Sequence, residues 1–244
     1  RYIKFNQLLT RAGLMDCGHI ATGHYARVEF DKERGRWLLK RAADTHKDQT
    51  YVLWALTQAE LAHTFFPLGN LTKPEVRKIA GEQGFLNAEK PDSQDICFVP
   101  DGDYARFIES YTGEKSKPGD FISDGKKVGT HKGIIHYTLG QRKKLGVSVG
   151  HTIFVTKIDP LSNTVTLGDE SELFGSTLTA HDINMIAYER LERPLKVTAK
   201  IRYAHKEAPA TLTQTGGDSF RLDFDLPQRA ITRGQSVVVY DGDT

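Results

Sequence analysis

Cysteine is nearly absent from this chain: its 244 residues include only Cys17 and Cys97, far apart in sequence. That excludes a disulfide scaffold and points to a reducing compartment, so a cytoplasmic protein is expected. Long apolar runs are missing too. None approaches the roughly 20 residues that a membrane-spanning helix requires, so no membrane partner is expected. No basic-then-apolar leader opens the chain, which argues against secretion. Neither sign of charge dominates: 33 Lys and Arg against 31 Asp and Glu leave a net +2, which by itself names no partner. What remains is an ordinary globular mixture, 39% hydrophobic and 26% charged. It is long enough for one large domain or a few small ones.

Apolar residues Ile3, Phe5, Leu8, Leu9 and Leu14 fall near helical spacing, which predicts an amphipathic helix over residues 2–13. No initiator methionine and no capping residue precede it, the pattern of a cut inside a domain. His19–Thr22 reads as a short strand. Tyr25–Phe30 and Trp37–Arg41 read as a hairpin across the polar, glycine-containing Asp31–Arg36 turn. Thr57-Gln-Ala-Glu60 and Thr72-Lys-Pro-Glu75 fit the capping box, in which hydroxyl and carboxylate each take an orphan backbone N–H. Pro74 suits a first helical turn, and Gly84 suits the position just past a helix end. Glu89–Pro100 reads as a loop leading into a short strand, and Tyr104–Tyr111 as a helix.

Lys115-Ser-Lys-Pro-Gly119 is a linker-like break. After it come short alternating strands with turn signals at Asp124-Gly125, Asp159–Asn163, Gly216-Gly217 and Asp241-Gly242. The runs Val197–Tyr203, Ala210–Gln214, Phe220–Phe224 and Ser236–Tyr240 are evenly spaced, as in a small antiparallel barrel. The expected division is 1–110, 111–178 and 179–244. Two basic clusters are candidate phosphate-contacting stripes: Lys126, Lys127, Lys132, Arg142, Lys143 and Lys144, then Arg190, Arg193, Lys196, Lys200, Arg202 and Lys206. Charge alone reads equally well as solvated surface.

Few residues speak of chemistry by themselves. Cys97, in Asp92-Ser-Gln-Asp-Ile-Cys-Phe98, reads first as a small buried hydrophobe, and the neighbouring acids would raise a thiol pKa. Cys17 with His19 and His24 matches no standard zinc spacing, so Cys17 is expected to be buried packing and no metal site is assigned. Gly23, in Ala21-Thr-Gly-His-Tyr25, follows a predicted strand, where backbone can approach a ligand closely. Lys47-Asp-Gln49 is either a polar binding loop or a helix N-terminus.

Together the motifs are specific. Ile3-Lys-Phe5, Ala21-Thr-Gly-His-Tyr-Ala-Arg27, Lys47-Asp-Gln49, Phe66-Pro-Leu-Gly69 and Leu71-Thr-Lys-Pro-Glu-Val-Arg77 run in order. Asp92-Ser-Gln-Asp-Ile-Cys-Phe98, Lys117-Pro-Gly-Asp120, Tyr137-Thr-Leu-Gly-Gln-Arg142, Lys200-Ile-Arg-Tyr203 and Thr232-Arg-Gly-Gln235 follow. The series resembles the bacterial-type tRNA 2-thiouridylases over essentially the whole chain. The resemblance implies part of a PP-loop α/β domain, a small central domain and a C-terminal antiparallel β-barrel.

It also implies a reaction in which ATP, with magnesium, adenylates the C2 oxygen of a wobble uridine. A cysteine persulfide then delivers sulfur to C2, and a second cysteine releases the product by forming a disulfide with the first. Cys97 matches the persulfide-bearing cysteine, Gly23 a nucleotide-contacting glycine, and His24, Lys47, Asp48, Gln49, Arg202, Tyr203 and Gln235 tRNA-contacting positions. Asp92 and Asp95 would shape the loop that carries Cys97. Implied partners are wobble-uridine tRNAs for glutamate, glutamine and lysine, with a cysteine desulfurase or sulfur-relay carrier as donor. The family's Ser-Gly-Gly-Val-Asp-Ser phosphate loop is not in this sequence, nor is its partner cysteine, and Cys17 does not match that cysteine. The 244 residues alone are therefore expected to be inactive. Two other readings stay open: a tRNA-binding module without chemistry, and another PP-loop thiolase or amide-forming ligase.

Overall fold

The structure, a computed structural model, describes residues 2–89, 99 and 101–244. Its chain divides into two compact units, one of residues 1–90, 177–226 and 234–244, the other of 91–176 and 227–233.

The first unit opens with a π-type helical segment, Tyr2–Gln7, continuing into α1 (Leu8–Leu14). The predicted amphipathic face is only partly used: Phe5 is buried, while Leu14 remains 83% exposed. Strand β1 (Ile20–Ala21) comes next, then the expected hairpin of β2 (Ala26–Asp31) and β3 (Arg36–Arg41). Its turn is held by Asp31, whose Oδ1 accepts from the N–H groups of Glu33 and Arg34 at 2.9 and 3.0 Å. Short helices α2 (Thr50–Leu53) and α3 (Gln58–Ala62) lead to β4 (Thr64–Phe65), which pairs in parallel with β1. Helix α4 (Lys73–Glu82) follows.

Both predicted capping boxes form, at Thr57 with Glu60 and at Thr72 with Glu75. Gly84 stops α4 at φ +70°. There the Phe85 N–H reaches the Ala80 carbonyl and the Gly84 N–H the Gly81 carbonyl, the paired bonds of a Schellman end. Gly69 has a different necessity. A Cβ there would lie 2.0 Å from the Ala26 carbonyl oxygen, so only glycine lets the segment after β4 press against β2. Phe5, Ile20, Ala26, Leu39, Leu53, Leu56 and Leu61 form the core beneath these elements.

In the second unit, α5 (Tyr104–Thr112) begins at Asp103, whose side chain accepts from the Arg106 N–H. Strands β5 (Gly119–Ser123) and β6 (Lys126–His131) meet at Asp124-Gly125, with φ of 49° and 71°, the two positive angles of a tight hairpin turn. With β7 (Phe154–Asp159) and β8 (Thr164–Gly168) they make a sheet in the order β6-β5-β8-β7, its central pair parallel. Phe121, Val155, Val165 and Leu167 fill its core with Tyr137, Leu145 and Ile153.

The last sheet has the order β13-β10-β11-β12-β9 and takes in β9 (Phe174–His181), β10 (Leu195–Lys200), β11 (Ala208–Gly216), β12 (Ser219–Arg229) and β13 (Val238–Tyr240). Four of the five strands overlap the runs that spacing predicts; β10 ends at Lys200 rather than Tyr203, and β9 lies outside those runs. Among the described residues, however, the sheet is not a closed barrel, because its edge strands β13 and β9 do not pair with each other.

Candidate functional site

The segment Thr22–His24 leaves the carboxyl end of β1, beside β4. In open α/β sheets this is the edge where ligands approach. Gly23 is exposed, and a Cβ on it would meet only Leu68 Cδ1, at an ordinary 3.7 Å. The backbone is therefore open to a flat ligand, although packing does not demand glycine. His24 is half-buried, its ring 5.9 Å from Phe5 and 6.0 Å from Phe66, and its Nδ1 lies 2.9 Å from Thr22 Oγ1. Burial, aided by the Lys4 charge, lowers its pKa, which favours the neutral ring near neutral pH.

The Lys47-Asp-Gln49 segment is a built loop. The Gln49 Oε1 accepts from the Tyr25 N–H at 3.0 Å, and the Gln49 N–H donates to the Tyr25 carbonyl at 2.9 Å. Asp48 accepts from the Ala42 N–H at 2.9 Å and from the Thr50 hydroxyl at 2.5 Å. The polar ends of Asp48 and Gln49 thus lock the loop to the hairpin, a role that sequence spacing did not distinguish from ligand contact. Lys47 is half-buried beside them.

Two residues beyond Gln49, Tyr51 reaches the far end of the chain. Its hydroxyl donates to the Ser236 carbonyl at 2.8 Å, next to the exposed Gln235, and its ring meets Tyr203 edge-on at 5.9 Å. Tyr203 is 49% exposed, with Lys200 Nζ 5.7 Å from its ring centre and half-buried Arg202 before it. Within the first unit, Tyr25, Gln49, Tyr51, Tyr203 and Ser236 are thus linked by hydrogen bonds, one edge-on ring contact and short steps of chain, and Gly23, His24, Lys47, Asp48, Arg202 and Gln235 lie within two residues of them in sequence. Cys97, with Asp92 and Asp95, lies outside the described residues.

Sequence reasoning missed the strut beneath this run. Arg41 makes a bidentate ion pair with Glu207, and its guanidinium sits 4.1 Å from the centre of the Tyr240 ring. Glu207 also accepts from the Thr198 hydroxyl at 3.0 Å, and the Tyr240 hydroxyl lies 3.1 Å from Thr50 Oγ1. A cleft of about 560 Å³ opens beside the strut, lined in part by Arg41, Lys196, Glu207 and Tyr240. Burial pushes the Tyr240 phenol up to about 12. Burial alone would also raise Glu207, but the hydrogen bond and charge of Arg41, with Thr198 and Lys200, overcome it and hold the carboxyl below its usual value.

A carboxyl depressed in the folded state stabilises above its unfolded pKa of about 4.3 and loses that contribution as pH falls through its folded value. Urea midpoints should therefore favour the native protein over Glu207→Gln near neutrality, by about 1–3 kcal/mol, and the gap should close in acid. A gap independent of pH would show that the ion pair contributes nothing.

One expectation is corrected. Cys17 is exposed, not buried: α1 ends at Leu14, and Asp16 at φ 56° turns the chain across the surface. The Cys17 N–H closes the helix end on the Ala12 carbonyl, leaving its thiol as a free group whose partner is the Met15 carbonyl, 3.6 Å away. No disulfide is present among the described residues, and no group of three or more His, Cys, Asp or Glu there could hold a metal ion. None of the described helices is long and apolar enough to cross a membrane.

Three family models match in order: a tRNA methyl transferase HUP domain over residues 1–101, a tRNA methyl transferase PRC-barrel domain over 105–169, and an aminomethyltransferase beta-barrel domain over 175–244. The chain is 53% identical to a tRNA-specific 2-thiouridylase of Thermoanaerobacter sp. (strain X514), covering all of this chain and 67% of the relative. It is 50% identical to one from Acetivibrio thermocellus and 48% to one from Clostridioides difficile (strain 630), in each case over the whole chain and 68% of the relative. Matches at about half identity over the whole of this chain and two thirds of each relative, together with the three family models in order, leave one conclusion: this chain belongs to the tRNA-specific 2-thiouridylase family.

Proposed function

We propose that this chain carries the tRNA-engaging and sulfur-transferring residues of a tRNA-uridine 2-sulfurtransferase, acting on the C2 position of a wobble uridine. The observation that supports it best is the junction at Tyr51, which joins the loop of Lys47, Asp48 and Gln49 to Tyr203 and to the segment of Gln235. RNA loops are read by stacking unpaired bases on aromatic rings and by contacts to phosphates, and a base must leave its stack before its ring atoms can react. An exposed tyrosine flanked by Lys200 and Arg202 suits the first task. His24 and the opening at Gly23 line the edge to which an extruded uridine would be delivered.

Cys97 is assigned the sulfur. The outer sulfur of its persulfide would form the new C–S bond at C2 as the adenylated oxygen departs with AMP. The thiolate of the family's second cysteine would then attack the Cys97 sulfur, breaking the S–S bond to release the 2-thiouridine and leaving a disulfide. A thiol reductant opens that disulfide before a cysteine desulfurase or relay carrier transfers a fresh sulfane sulfur to Cys97. The described residues fit, at most, the nucleoside end of ATP, through Gly23. They offer no phosphate-binding loop and no donor set for magnesium, so activation of the uridine requires groups beyond those described. The division into parts at residues 110 and 178 is kept as a proposal.

The test joins these residues to the remaining third of the relatives' length and supplies unmodified glutamate, glutamine or lysine tRNA, ATP, a thiol reductant, and cysteine with a cysteine desulfurase as the persulfide-level sulfur donor. Nucleoside mass spectrometry should then find 2-thiouridine; tRNA that is bound but never thiolated would favour the binding-module reading. The 244-residue chain alone should bind the tRNA and yield no 2-thiouridine, and product from it would overturn that part.

A further inference from the structure

The motif Tyr137-Thr-Leu-Gly-Gln-Arg142 is almost wholly accounted for by structure. Tyr137 is in the core of the second unit, and Leu139 packs against Phe154, Leu173 and Ala230. Gly140 takes φ +83°, its N–H donating to the Val155 carbonyl at 2.8 Å. Gln141 braces the turn twice: its Oε1 accepts from the Thr138 N–H at 3.0 Å, and its Nε2 donates to the Lys143 carbonyl at 2.9 Å. Beyond the brace, Leu145 returns to the core, and Val147 seats against the backbone of Gly129 in β6, where an added Cβ would meet it at 3.3 Å. Between these anchors Arg142, Lys143 and Lys144 are all exposed, and none is in an ion pair among the described residues. Lys127, also on β6, is by contrast paired with Asp120 at 2.6 Å.

Lys144 adds an independent mark. Six described residues other than glycine have positive φ, and four of them are Asp or Asn, which tolerate that backbone through local hydrogen bonds. The other two are Ala230, at φ 56°, held in a buried site by its N–H bond to the Leu173 carbonyl, and Lys144, at φ 61°, which is exposed and has no such anchor. A cation kept where glycine or asparagine would be easier points to a use for its side chain. Three adjacent free cations on a cross-braced turn lose little freedom on meeting a polyanion, so more of the attraction survives as affinity.

We propose that the Arg142-Lys143-Lys144 turn is a phosphate-backbone contact for the tRNA, separate from the run around Tyr51; this rests on the tRNA-binding reading above. It holds phosphates and reads no base, so its signature is electrostatic: each phosphate contact adds roughly 0.7–0.9 to the slope of log affinity against log salt.

The test measures binding of an unmodified glutamate tRNA transcript to the 244-residue chain by fluorescence anisotropy, between about 50 and 200 mM KCl. Arg142→Ala/Lys143→Ala/Lys144→Ala should raise Kd about tenfold and reduce the salt slope by about 2. A control removing the same charge elsewhere, Lys32→Ala/Lys78→Ala/Lys157→Ala, should leave the slope unchanged. Lys144→Gly should weaken binding while its melting temperature holds or rises, a combination that a structural role does not produce. A triple variant matching wild type or the charge control would overturn the inference and leave the Tyr51 reading standing. Failure of the wild-type chain to bind tRNA would remove both.

Discussion

Cys97→Ser is expected to abolish ATP-dependent formation of 2-thiouridine in the full-length protein, by roughly three orders of magnitude or more, the scale seen when a covalent nucleophile is removed. The change is nearly isosteric, but an alkoxyl oxygen cannot carry a sulfane sulfur, so the loading step disappears along with the transfer step. Affinity for tRNA should stay within about twofold of wild type, because the aromatic and basic residues assigned to it lie elsewhere in sequence. Loss of both activities together would mean that Cys97 supports the structure. A fully active variant would mean that sulfur reaches C2 by another route, such as free sulfide. Cys17 gives the matching contrast. Its backbone N–H closes a helix end while its thiol is exposed, and Cys17→Ser should leave thiolation unchanged.

Phe121→Ala is expected to destabilise the second unit by about 3–5 kcal/mol, the range for emptying a buried aromatic site. Phe121 is 1% exposed on β5, an inner strand of its sheet, where it pairs with Val165 of β8 and Gly129 of β6. Its ring meets Tyr137 at 5.1 Å and His131 at 5.4 Å, both edge-on, geometries worth about 0.5–1.5 kcal/mol beyond the area buried. The surroundings cannot collapse easily. His131 is held on both nitrogens, Nδ1 accepting from the Gly133 N–H at 3.0 Å and Nε2 lying 3.1 Å from the Asn163 carbonyl oxygen. Gly119 is pressed so close to Asn163 that a Cβ would lie 2.0 Å from that same oxygen. Urea unfolding of the 244-residue chain should register the loss, and Phe121→Leu should recover more than half of it. A cost below about 1 kcal/mol for the alanine variant would contradict the packing described.

The motif series was enough to identify the family, because each motif was legible as ordered residues without coordinates. Its physical reasons were not. Gly69 and Gly119 matter because carbonyls from distant segments crowd them, and Gln141 because it bridges its own turn. The strands of the C-terminal sheet were predicted from alternation, yet its open edge depends on which strands meet. Burial of Cys17 was misjudged because residue type favours the interior, whereas the backbone turn at Asp16 places the thiol outside.

By itself the sequence determined what rests on near neighbours: both capping boxes, the Gly84 helix end and the β2–β3 hairpin. These need only hydrogen bonds and turns within a few residues, so local chemistry specifies them. Tertiary structure alone decided which distant segments share a site. Thr50 meets Tyr240 across 190 positions, Tyr51 meets Ser236 across 185, and Arg41 meets Glu207 across 166. Closing loops of that length has an entropic cost that no single pair repays, so such contacts form only when the whole core forms with them.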